Sequence, residues 1–545
     1  MNRRFRSLAC IPVLALGLMC LPVVATAGAV ADEIRAILPP ASQSDTVPKG
    51  RAGLKSAVLM PRMYALRDFE PAWSNPKSAQ SLFSELRRGL DQGFRADDFN
   101  LSQLSDLQTA AKTGDPRAVA AFDVAATDAA VRLVHHVVFG KVDPSDLDSD
   151  WNFSEPVIEN DPAKVLGDYL DGEGFDALMR RIDIKTAQYT MLIDALHRYQ
   201  EIAADGGWPK VPDETVLKPG AVDPAIAVLR QRLAREGALN EGQVLPVPDA
   251  GSEVEPGWIY DSRLEADVKV FQARHGLEAD GAVGPKTFVS LNRPVQDRVN
   301  QIRLSLERGR WLLRDEDEEF ILVNIAGART YLVKSDGTLW TTRSITGSEY
   351  RKTPVFRDEI KYMEFNPTWT VPASIFRKDK LSRIRKDPGY LARNNYVVRT
   401  RDGKTVSASS VNWNAGNPGV TLVQRPGPDN ALGLVKFMFP NKYNVYMHDT
   451  NDRSLFDRNE RHLSSGCVRV EYPFELANLL MEGDPDWSTA RMQSILDSGK
   501  TTRINLPRPM PVLLTYWTAW AEGGVVHFRE DPYGRDAAVL AELDR

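Results

Sequence analysis

Residues 446–470, which read YMHDTNDRSLFDRNERHLSSGCVRV, hold the one arrangement in the sequence that looks like chemistry rather than packing. A strand-like run at residues 444–447 leads into a polar centre, and residues 468–470 resume the apolar alternation of a strand. His448 therefore lies at or just past the end of a strand, where a rigid support can display a functional side chain. The stretch predicts two strands, separated by a polar loop, that present His448 and Cys467.

The residues beside Cys467 favour chemistry over packing. Ser465 and Gly466 permit a tight turn in which backbone amides face an oxyanion. Burial as a small hydrophobic side chain is the commonest role of a free cysteine. A free thiol has a pKa near about 8.5, so a nucleophilic cysteine needs a base or a positive neighbour. We expect His448 to be that base, with His462 as its rival.

Other polar and aromatic side chains have secondary roles in this interpretation. The Asp449 side chain could orient the His448 imidazole, and a backbone carbonyl could do so equally well. Arg469 could bind a substrate carboxylate or brace the turn through two hydrogen bonds. Four further residues are candidates for lining the cleft: Tyr362, Trp369, Trp413 and Asn414.

The N-terminus predicts export. Three arginines within residues 3–6 precede an apolar run at residues 8–24, and the small residues 25–27 resemble a cleavage site. We predict a signal peptide at residues 1–27 and a periplasmic protein, with an uncleaved membrane anchor as the alternative. Cys10 and Cys20 would leave with the signal peptide. Cys467 would then have no disulfide partner.

The composition bounds the function classes. A chain of 545 residues suggests three or four domains. Its net charge of -5 gives no basic surface for nucleic acid. The adjacent His135 and His136 lack the further ligands that a metal site requires, so we expect neither a metal nor another cofactor.

The first half of the chain is predicted to be helical. Residues 28–59 form a leader that we expect to be mobile or loosely docked. Leu82, Phe83, Leu86 and Leu90 recur at helix spacing within a helical scaffold domain at residues 60–208, to which parts of residues 295–317 belong. The proline-rich residues 209–221 then read as a linker.

Residues 222–293 predict a small helical domain. Residues 225–237 form an amphipathic helix, and the predicted core contains Leu233, Val268, Phe271 and Leu291. Asp280-Gly281 and Gly284-Pro285 supply turns. The series resembles the peptidoglycan-binding domain found beside many cell-wall enzymes, although an insertion at residues 240–258 interrupts the pattern.

Residues 318–506 predict a mostly β domain, which makes the whole chain a multidomain α+β protein. The β-branched and aromatic runs that predict its strands are residues 320–325, 330–333, 341–346, 359–365 and 420–422. Residues 366–419 interrupt the domain with a basic helix that Ser374 would cap, and we interpret this insertion as a lid over a cleft. Residues 507–545 are expected to form a tail whose hairpin docks back on the body.

The motifs around the polar loop resemble one enzyme family. His448-Asp449-Thr450 and SSGCVRV at residues 464–470 look like the signature of the L,D-transpeptidase catalytic domain. NALGLVKF at residues 430–437 and FPN at residues 439–441 resemble its large, multidomain branch. Many members have a histidine directly before the Gly-Cys pair. Ser465 stands there in this chain, which leaves His448 as the main base.

The resemblance implies a two-step acyl transfer on peptidoglycan stem peptides without a cofactor. Cys467 would attack a donor tetrapeptide, release D-alanine and pass the acyl group to a neighbouring stem, forming a 3–3 cross-link. Amides near Gly466 and Cys467 would stabilise the oxyanions. Expected partners are stem peptides, glycan and other cell-wall synthases, carbapenems would be inhibitors, and the chain would act as a monomer. A cysteine L,D-carboxypeptidase and a non-catalytic peptidoglycan-binding scaffold stay open as alternatives.

Overall fold

The computed structural model describes residues 27–40, 50–148, 151–153, 160–213, 215–237, 255–313, 319–387 and 389–545. Residues 1–26 of the predicted signal peptide and most of the insertion at residues 240–258 lie outside these residues. The described residues form two compact units: those within Met1–Arg87, Arg95–Val134 and Ile158–Arg181 make up the first, and those within Arg88–Phe94, His135–Val157 and Ile182–Arg545 make up the second.

The N-terminal half is helical, as its periodicity predicts. Its helices are α1 Ala27–Ile37, α2 Ser56–Leu66, α3 Pro76–Asp91, α4 Leu101–Ala111, α5 Pro116–Phe139, α6 Pro144–Leu147, α7 Pro162–Asp171, α8 Phe175–Ile182 and α9 Ala187–Ala204. The prediction of a loosely docked leader is wrong for its described part. Val30 and Ile34 of α1 are buried, and Glu33 pairs with Arg117 of α5.

A buried carboxylate organises the first unit. Asp123 of α5 accepts a hydrogen bond from the Tyr64 hydroxyl of α2 at 2.6 Å. It also accepts the backbone amides of Ala72 and Trp73 at 2.9 and 2.8 Å. Burial raises the pKa of Asp123, while these hydrogen bonds act in the opposite direction. The carboxylate therefore joins α2 and its following loop to α5.

The small helical domain contains α10 Ala225–Glu236, α11 Ser262–Arg274 and α12 Pro285–Leu291, and α13 Val295–Leu312 follows it. The four core residues predicted from the sequence are all buried. Gly237 ends α10 in the left-handed conformation that favours glycine, with φ of 68°. Within the second unit, α13 packs along α9.

The strands of the second unit are β1 Phe320–Asn324, β2 Arg329–Val333, β3 Leu339–Gly347, β4 Phe356–Phe365, β5 Trp369–Thr370, β6 Tyr396–Thr400, β7 Thr405–Val406, β8 Val420–Gln424, β9 Val435–Met438, β10 Met447–His448, β11 His462–Ser464, β12 Val468–Val470, β13 Thr502–Thr515, β14 Ala519–Glu522 and β15 Val525–Phe528. The remaining helices are α14 Ala373–Ile375, α15 Leu381–Lys386, α16 Tyr390–Arg393, α17 Pro473–Leu480, α18 Thr489–Asp497 and α19 Asp536–Leu543. Among the described residues, the strands β3-β12-β10-β9-β4-β13-β1-β2 form a ring that closes because β2 also pairs with β3. Strand β11 pairs with β3 outside the ring. The barrel supports the polar loop between β10 and β12.

Strand β13 corrects the predicted end of the β domain. It continues past residue 506 to Thr515 and pairs with β4 and β1 on its two sides. Pro507 and Pro509 of this strand lack the amide that donates to a sheet. The chain accommodates them in a register shift between Asn505 and Met510. The first part of the predicted tail is therefore a barrel strand.

The C-terminal hairpin docks on the small helical domain. Strands β14 and β15 pair with each other. Arg274 Nε of α11 donates to the Val526 carbonyl at 3.3 Å, and Arg529 donates to the Arg274 carbonyl at 3.0 Å. The His275 and Phe528 rings stack with their centroids 5.5 Å apart. These contacts fix the small helical domain against the hairpin.

The insertion has a sheet and a core of its own. Strands β5-β8-β6-β7 form the sheet. The sequence predicts residues 420–422 as a strand of the main β domain, but β8 belongs to the insertion. Its buried side chains are Trp369, Val371, Phe376, Leu381, Ile384, Leu391, Val398, Leu422 and Leu432. The predicted cap is also wrong, because Pro372 precedes α14 and Ser374 lies inside it. A π-helical turn, Phe376–Lys380, joins α14 to α15. We call residues 366–424 the lid.

Candidate active site

Two parallel strands bring the predicted nucleophile and base to the same face of the barrel. Strands β10 and β12 place His448 opposite Arg469. Cys467, two residues before Arg469, is therefore opposite Tyr446, two residues before His448. Side chains two residues apart in a strand point to the same face. The register thus gathers Cys467, Arg469, Tyr446 and His448 on one face of neighbouring strands.

The thiol of Cys467 is partly exposed and has no disulfide partner. Its sulfur lies 3.9 Å from the Asn444 carbonyl oxygen. Burial raises the pKa of the Cys467 thiol, while hydrogen bonds with Tyr446 and the charges of Lys436 and Arg469 act in the opposite direction. The net upward shift disfavours the thiolate, so a thiolate at Cys467 requires a base that removes the proton.

His448 is buried as a neutral imidazole. Burial and the nearby positive charges of Arg469 and Lys436 lower the pKa of His448 to about 3. Its Nδ1 lies 2.5 Å from the Asp449 carbonyl oxygen. A carbonyl can only accept, so Nδ1 carries the proton and Nε2 keeps a lone pair. That tautomer suits a general base.

The Asp449 side chain does not orient the imidazole. Its Oδ2 accepts the Leu434 amide at 2.9 Å, and its Oδ1 accepts Arg453 at 3.0 Å. Burial raises the pKa of the Asp449 carboxyl, and these hydrogen bonds act against that shift. Of the two alternatives left open by the sequence, the backbone carbonyl makes the contact to His448. The carboxylate instead holds the loop that contains Gly433.

Ser464 closes the turn that carries Cys467, and the sequence did not single it out. Its hydroxyl donates to the Cys467 carbonyl at 2.5 Å and accepts the Gly466 amide at 3.1 Å. Gly466 has φ of 114°, a conformation that L side chains rarely adopt. Thr353 donates to the Gly466 carbonyl at 2.9 Å. The Gly466 amide is therefore engaged in the turn, contrary to its predicted role as an oxyanion donor.

A charged row crosses the barrel beside the thiol. Lys436 of β9 lies opposite His448, and Glu364 of β4 lies opposite Lys436. The Lys436 and Glu364 charges are 3.8 Å apart, and Lys436 Nζ lies 4.1 Å from the centre of the Tyr446 ring. Burial lowers the pKa of Lys436. Sequence reasoning missed Lys436, Glu364 and Tyr446 as site residues because sheet pairing brings them together from distant segments.

Arg351 links the turn before Cys467 to the lid. Its guanidinium donates to the Ser465 hydroxyl at 2.8 Å. It also donates two hydrogen bonds, of 2.6 and 2.8 Å, to the two carboxylate oxygens of Asp379 in the π-helical turn. Neither residue had a local signal in the sequence. The hydroxyl of Ser465, a predicted turn residue, therefore accepts a hydrogen bond from Arg351.

The rival base His462 lies on β11 with both ring nitrogens engaged. Nδ1 contacts Glu460 Oε1 at 2.8 Å and Nε2 contacts the Ile325 carbonyl at 3.1 Å. Arg469 makes one long contact, at 3.5 Å, to the Thr450 hydroxyl, so it does not brace the turn through two hydrogen bonds. Its Nε has no hydrogen-bond partner among the described residues.

Of the four cleft candidates, two lie near other site residues and two lie apart from them in the lid. Tyr362 shares a face of β4 with Glu364, and the Arg503 guanidinium lies 3.6 Å from its ring centre. Trp369 is buried in the lid core beside Tyr446. Trp413 donates to the Ala408 carbonyl within the lid at 2.8 Å. The remaining candidate, Asn414, is exposed in the same lid loop, so these last two residues are not part of the gathered site.

Two further features bear on other function classes. Within the described ranges, no group of three or more histidine, cysteine or carboxylate side chains could hold a metal ion. No helix in the part of the chain that the structure covers is long and apolar enough to cross a membrane.

Comparisons with known families identify three regions. The profile of the L,D-transpeptidase catalytic domain matches residues 318–486, a scaffold domain matches residues 58–196, and a peptidoglycan-binding domain matches residues 223–291. The chain therefore carries an L,D-transpeptidase catalytic domain together with a peptidoglycan-binding domain. The family resemblance predicted from the sequence is confirmed.

Individual relatives cover parts of the chain. A Haemophilus influenzae protein named "Putative L,D-transpeptidase" is 35% identical over 226 residues, which are 41% of this chain and 46% of that protein. The chain thus spans about half the length of this relative.

Solved structures give weaker likenesses. An L,D-transpeptidase from Mycobacterium smegmatis has 12% identity and a TM-score of 0.17, covering 36% of this chain and 58% of that one. An LD transpeptidase in complex with imipenem has 13% identity and a TM-score of 0.17, with 36% and 59% coverage. The assignment rests on the domain matches rather than on these scores.

Proposed function

We propose that this protein is a periplasmic L,D-transpeptidase that forms 3–3 cross-links between peptidoglycan stem peptides. One observation supports the proposal: parallel strands β10 and β12 pair His448 with Arg469, two residues after Cys467, whose thiol is partly exposed. The predicted signal peptide supports the location.

The first step transfers an acyl group to Cys467. Nε2 of His448 takes the thiol proton as the sulfur attacks the carbonyl carbon of the third residue of a tetrapeptide, commonly diaminopimelate. Collapse of the tetrahedral intermediate breaks the bond to the terminal D-alanine, and His448 returns the proton to the leaving amine. A thioester on Cys467 remains. The Tyr446 hydroxyl and the charges of Lys436 and Arg469 stabilise the sulfur as it becomes negative.

The second step releases the product. The side-chain amine of a neighbouring stem attacks the thioester carbon, and His448 takes a proton from that amine and returns it to the sulfur. The Cys467 amide is the oxyanion donor in our proposal for both steps, because the Gly466 amide is held by Ser464. The products are a cross-linked dimer and a free thiol.

The peptidoglycan-binding domain supports a polymeric substrate. A groove with a cavity volume of about 1530 Å³ is lined by this domain and by the catalytic domain. Lys286 lies on one side, Glu460 on the other, and the ring of Tyr350 is 91% exposed at its edge. Polar side chains and one exposed tyrosine ring suit a glycan strand with attached peptides.

The products of purified tetrapeptide substrates test the proposal. We expect mass spectrometry to detect a cross-linked dimer and free D-alanine with the unaltered protein, and neither product with Cys467→Ala. Tripeptide as the main product would favour the L,D-carboxypeptidase. Unchanged cross-linking in Cys467→Ala would reject the cysteine mechanism.

A further inference from the structure

We propose that Arg351 is the centre of a carboxylate-binding site for the donor peptide, and that Asp379 of the lid occupies this site when substrate is absent. This inference rests on the proposed function and names a specificity determinant for it. The ligand class is a peptide carboxylate, which peptidoglycan stems carry at the diaminopimelate side chain and at the terminal D-alanine.

The geometry at Arg351 is that of carboxylate recognition. The two guanidinium-to-Asp379 hydrogen bonds, of 2.6 and 2.8 Å, reach both carboxylate oxygens. Such a planar pair of donors matches a carboxylate better than a lysine can. The site is therefore already shaped around the functional group that a stem peptide would supply.

The site adjoins the nucleophile. One terminal nitrogen of Arg351 also donates to the Ser465 hydroxyl at 2.8 Å, and Ser465 lies two residues before Cys467. A substrate carboxylate bound at Arg351 would consequently lie beside the turn that presents the thiol. Binding there would position the donor for attack.

The present occupant can be displaced. The side chains of Arg351 and Asp379 are 28% and 36% exposed. Ion pairs in contact with water contribute little net stability, so an incoming carboxylate can replace Asp379 at small cost. The hydrogen bonds from Arg351 lower the pKa of Asp379, so the lid carboxylate is charged at neutral pH and competes as an anion.

The lid holds Asp379 in place independently of Arg351. Phe376 and Leu381, on either side of it in the chain, are buried in the lid core. Asp379 itself lies in the π-helical turn, a local distortion that is frequent at functional sites. Substrate binding at Arg351 would therefore release one link between the lid and the nucleophile turn without unfolding the lid.

Matched donors test the site in the full-length protein. The probes are tetrapeptides with a free carboxylate or a carboxamide, either at the diaminopimelate side chain or at the C-terminus. The measurement is KM and kcat for release of the terminal residue. We expect Arg351→Gln to raise KM for the free acid about tenfold, the scale of a hydrogen bond to a charged group, and to leave the amide donor unchanged. Asp379→Asn should lower KM for the acid.

Two further variants separate binding from structure. Arg351→Lys keeps the charge without the paired donors and should restore part of the preference for the acid. Arg393→Gln removes a different lid ion pair, with Asp387, and should leave the acid-to-amide ratio as it is in the unaltered protein.

The outcomes are distinct. A larger KM for acid and amide alike in both Arg351→Gln and Asp379→Asn would assign the pair a structural role and overturn the inference. Equal release of the terminal residue from acid and amide donors by the unaltered protein would also overturn the inference. If the unaltered protein releases nothing from any donor, the proposed function fails rather than the site alone.

Discussion

The barrel and the lid hold their polar groups in different ways. In the barrel, Cys467 and His448 lie on or beside neighbouring strands, and their positions follow from backbone pairing. In the lid, Asp379 lies on a short π-helical turn and reaches the barrel through a partly exposed ion pair with Arg351. Under the proposed function, the barrel performs bond making and the lid takes part in choosing the substrate.

The largest expected effect is on the barrel side. His448→Gln removes the base that takes the thiol proton, and we expect the rate of Cys467 acylation to fall by about 10²- to 10⁴-fold. Stopped reactions followed by intact mass spectrometry measure this rate. A loss smaller than about tenfold would mean that another group removes the proton.

Acid should lower the stability of the barrel through a buried histidine. The lid contains none of the seven histidines. Burial lowers the pKa of His448 to about 3, below its ordinary value near 6.5. The unfolded state then binds a proton that the folded state does not, so the free energy of unfolding decreases as the pH falls from 6.5 towards 3. The slope is up to about 1.4 kcal/mol per pH unit for this residue.

Denaturant unfolding at several pH values measures that slope. His275 and His527, whose pKa values burial lowers to about 4, add to it in the unaltered protein. The contribution of His448 is the part that disappears in His448→Gln. An identical pH dependence in that variant would contradict the buried neutral imidazole.

A glycine at the edge of the site should matter more than a glycine in the lid. Gly433 has φ of 62°, and a Cβ there would lie 2.3 Å from Asp449 Oδ2. We expect Gly433→Ala to reduce the free energy of unfolding by roughly 1–3 kcal/mol. Gly416→Ala, in the lid with open space around it, should change it by less than about 0.5 kcal/mol. Equal effects of the two substitutions on thermal unfolding would refute the close packing of Gly433 against Asp449, the residue after His448.

The smallest expected effect concerns the link between the two regions. Asp379→Asn should change the free energy of unfolding by less than about 1 kcal/mol, because the ion pair is in contact with water. Chemical denaturation measures this quantity. A larger loss of stability would show that the ion pair holds the lid to the barrel rather than marking an exchangeable site.

Local patterns predicted the parts of the fold that depend on neighbouring residues. The β1–β2 hairpin, the core of the small helical domain and the position of His448 at a strand end all follow from alternation or helix spacing. The predicted β domain ends at residue 506, and only the pairing of β13 with β4 and β1 reveals that the strand continues to Thr515. Strand β8 has an ordinary strand sequence, which does not tell which sheet it joins.

The candidate site shows the same limit. Cys467 and His448 could be singled out because their chemistry and flanking residues are unusual. Lys436 and Arg351 come from other segments of the chain. Only long-range contacts bring them close to His448 and to the turn before Cys467. The direction of the Asp449 side chain could not be read from its place next to His448, because Asp449 lies just past the end of β10, where strand alternation no longer fixes the direction of a side chain.

The central claim is that Cys467 is the nucleophile of this barrel. Its most direct test is the intact mass of the protein after incubation with a carbapenem such as imipenem. The account predicts a single covalent adduct on the unaltered protein and none on Cys467→Ala. An adduct of the same size on Cys467→Ala, or none on the unaltered protein, would contradict it.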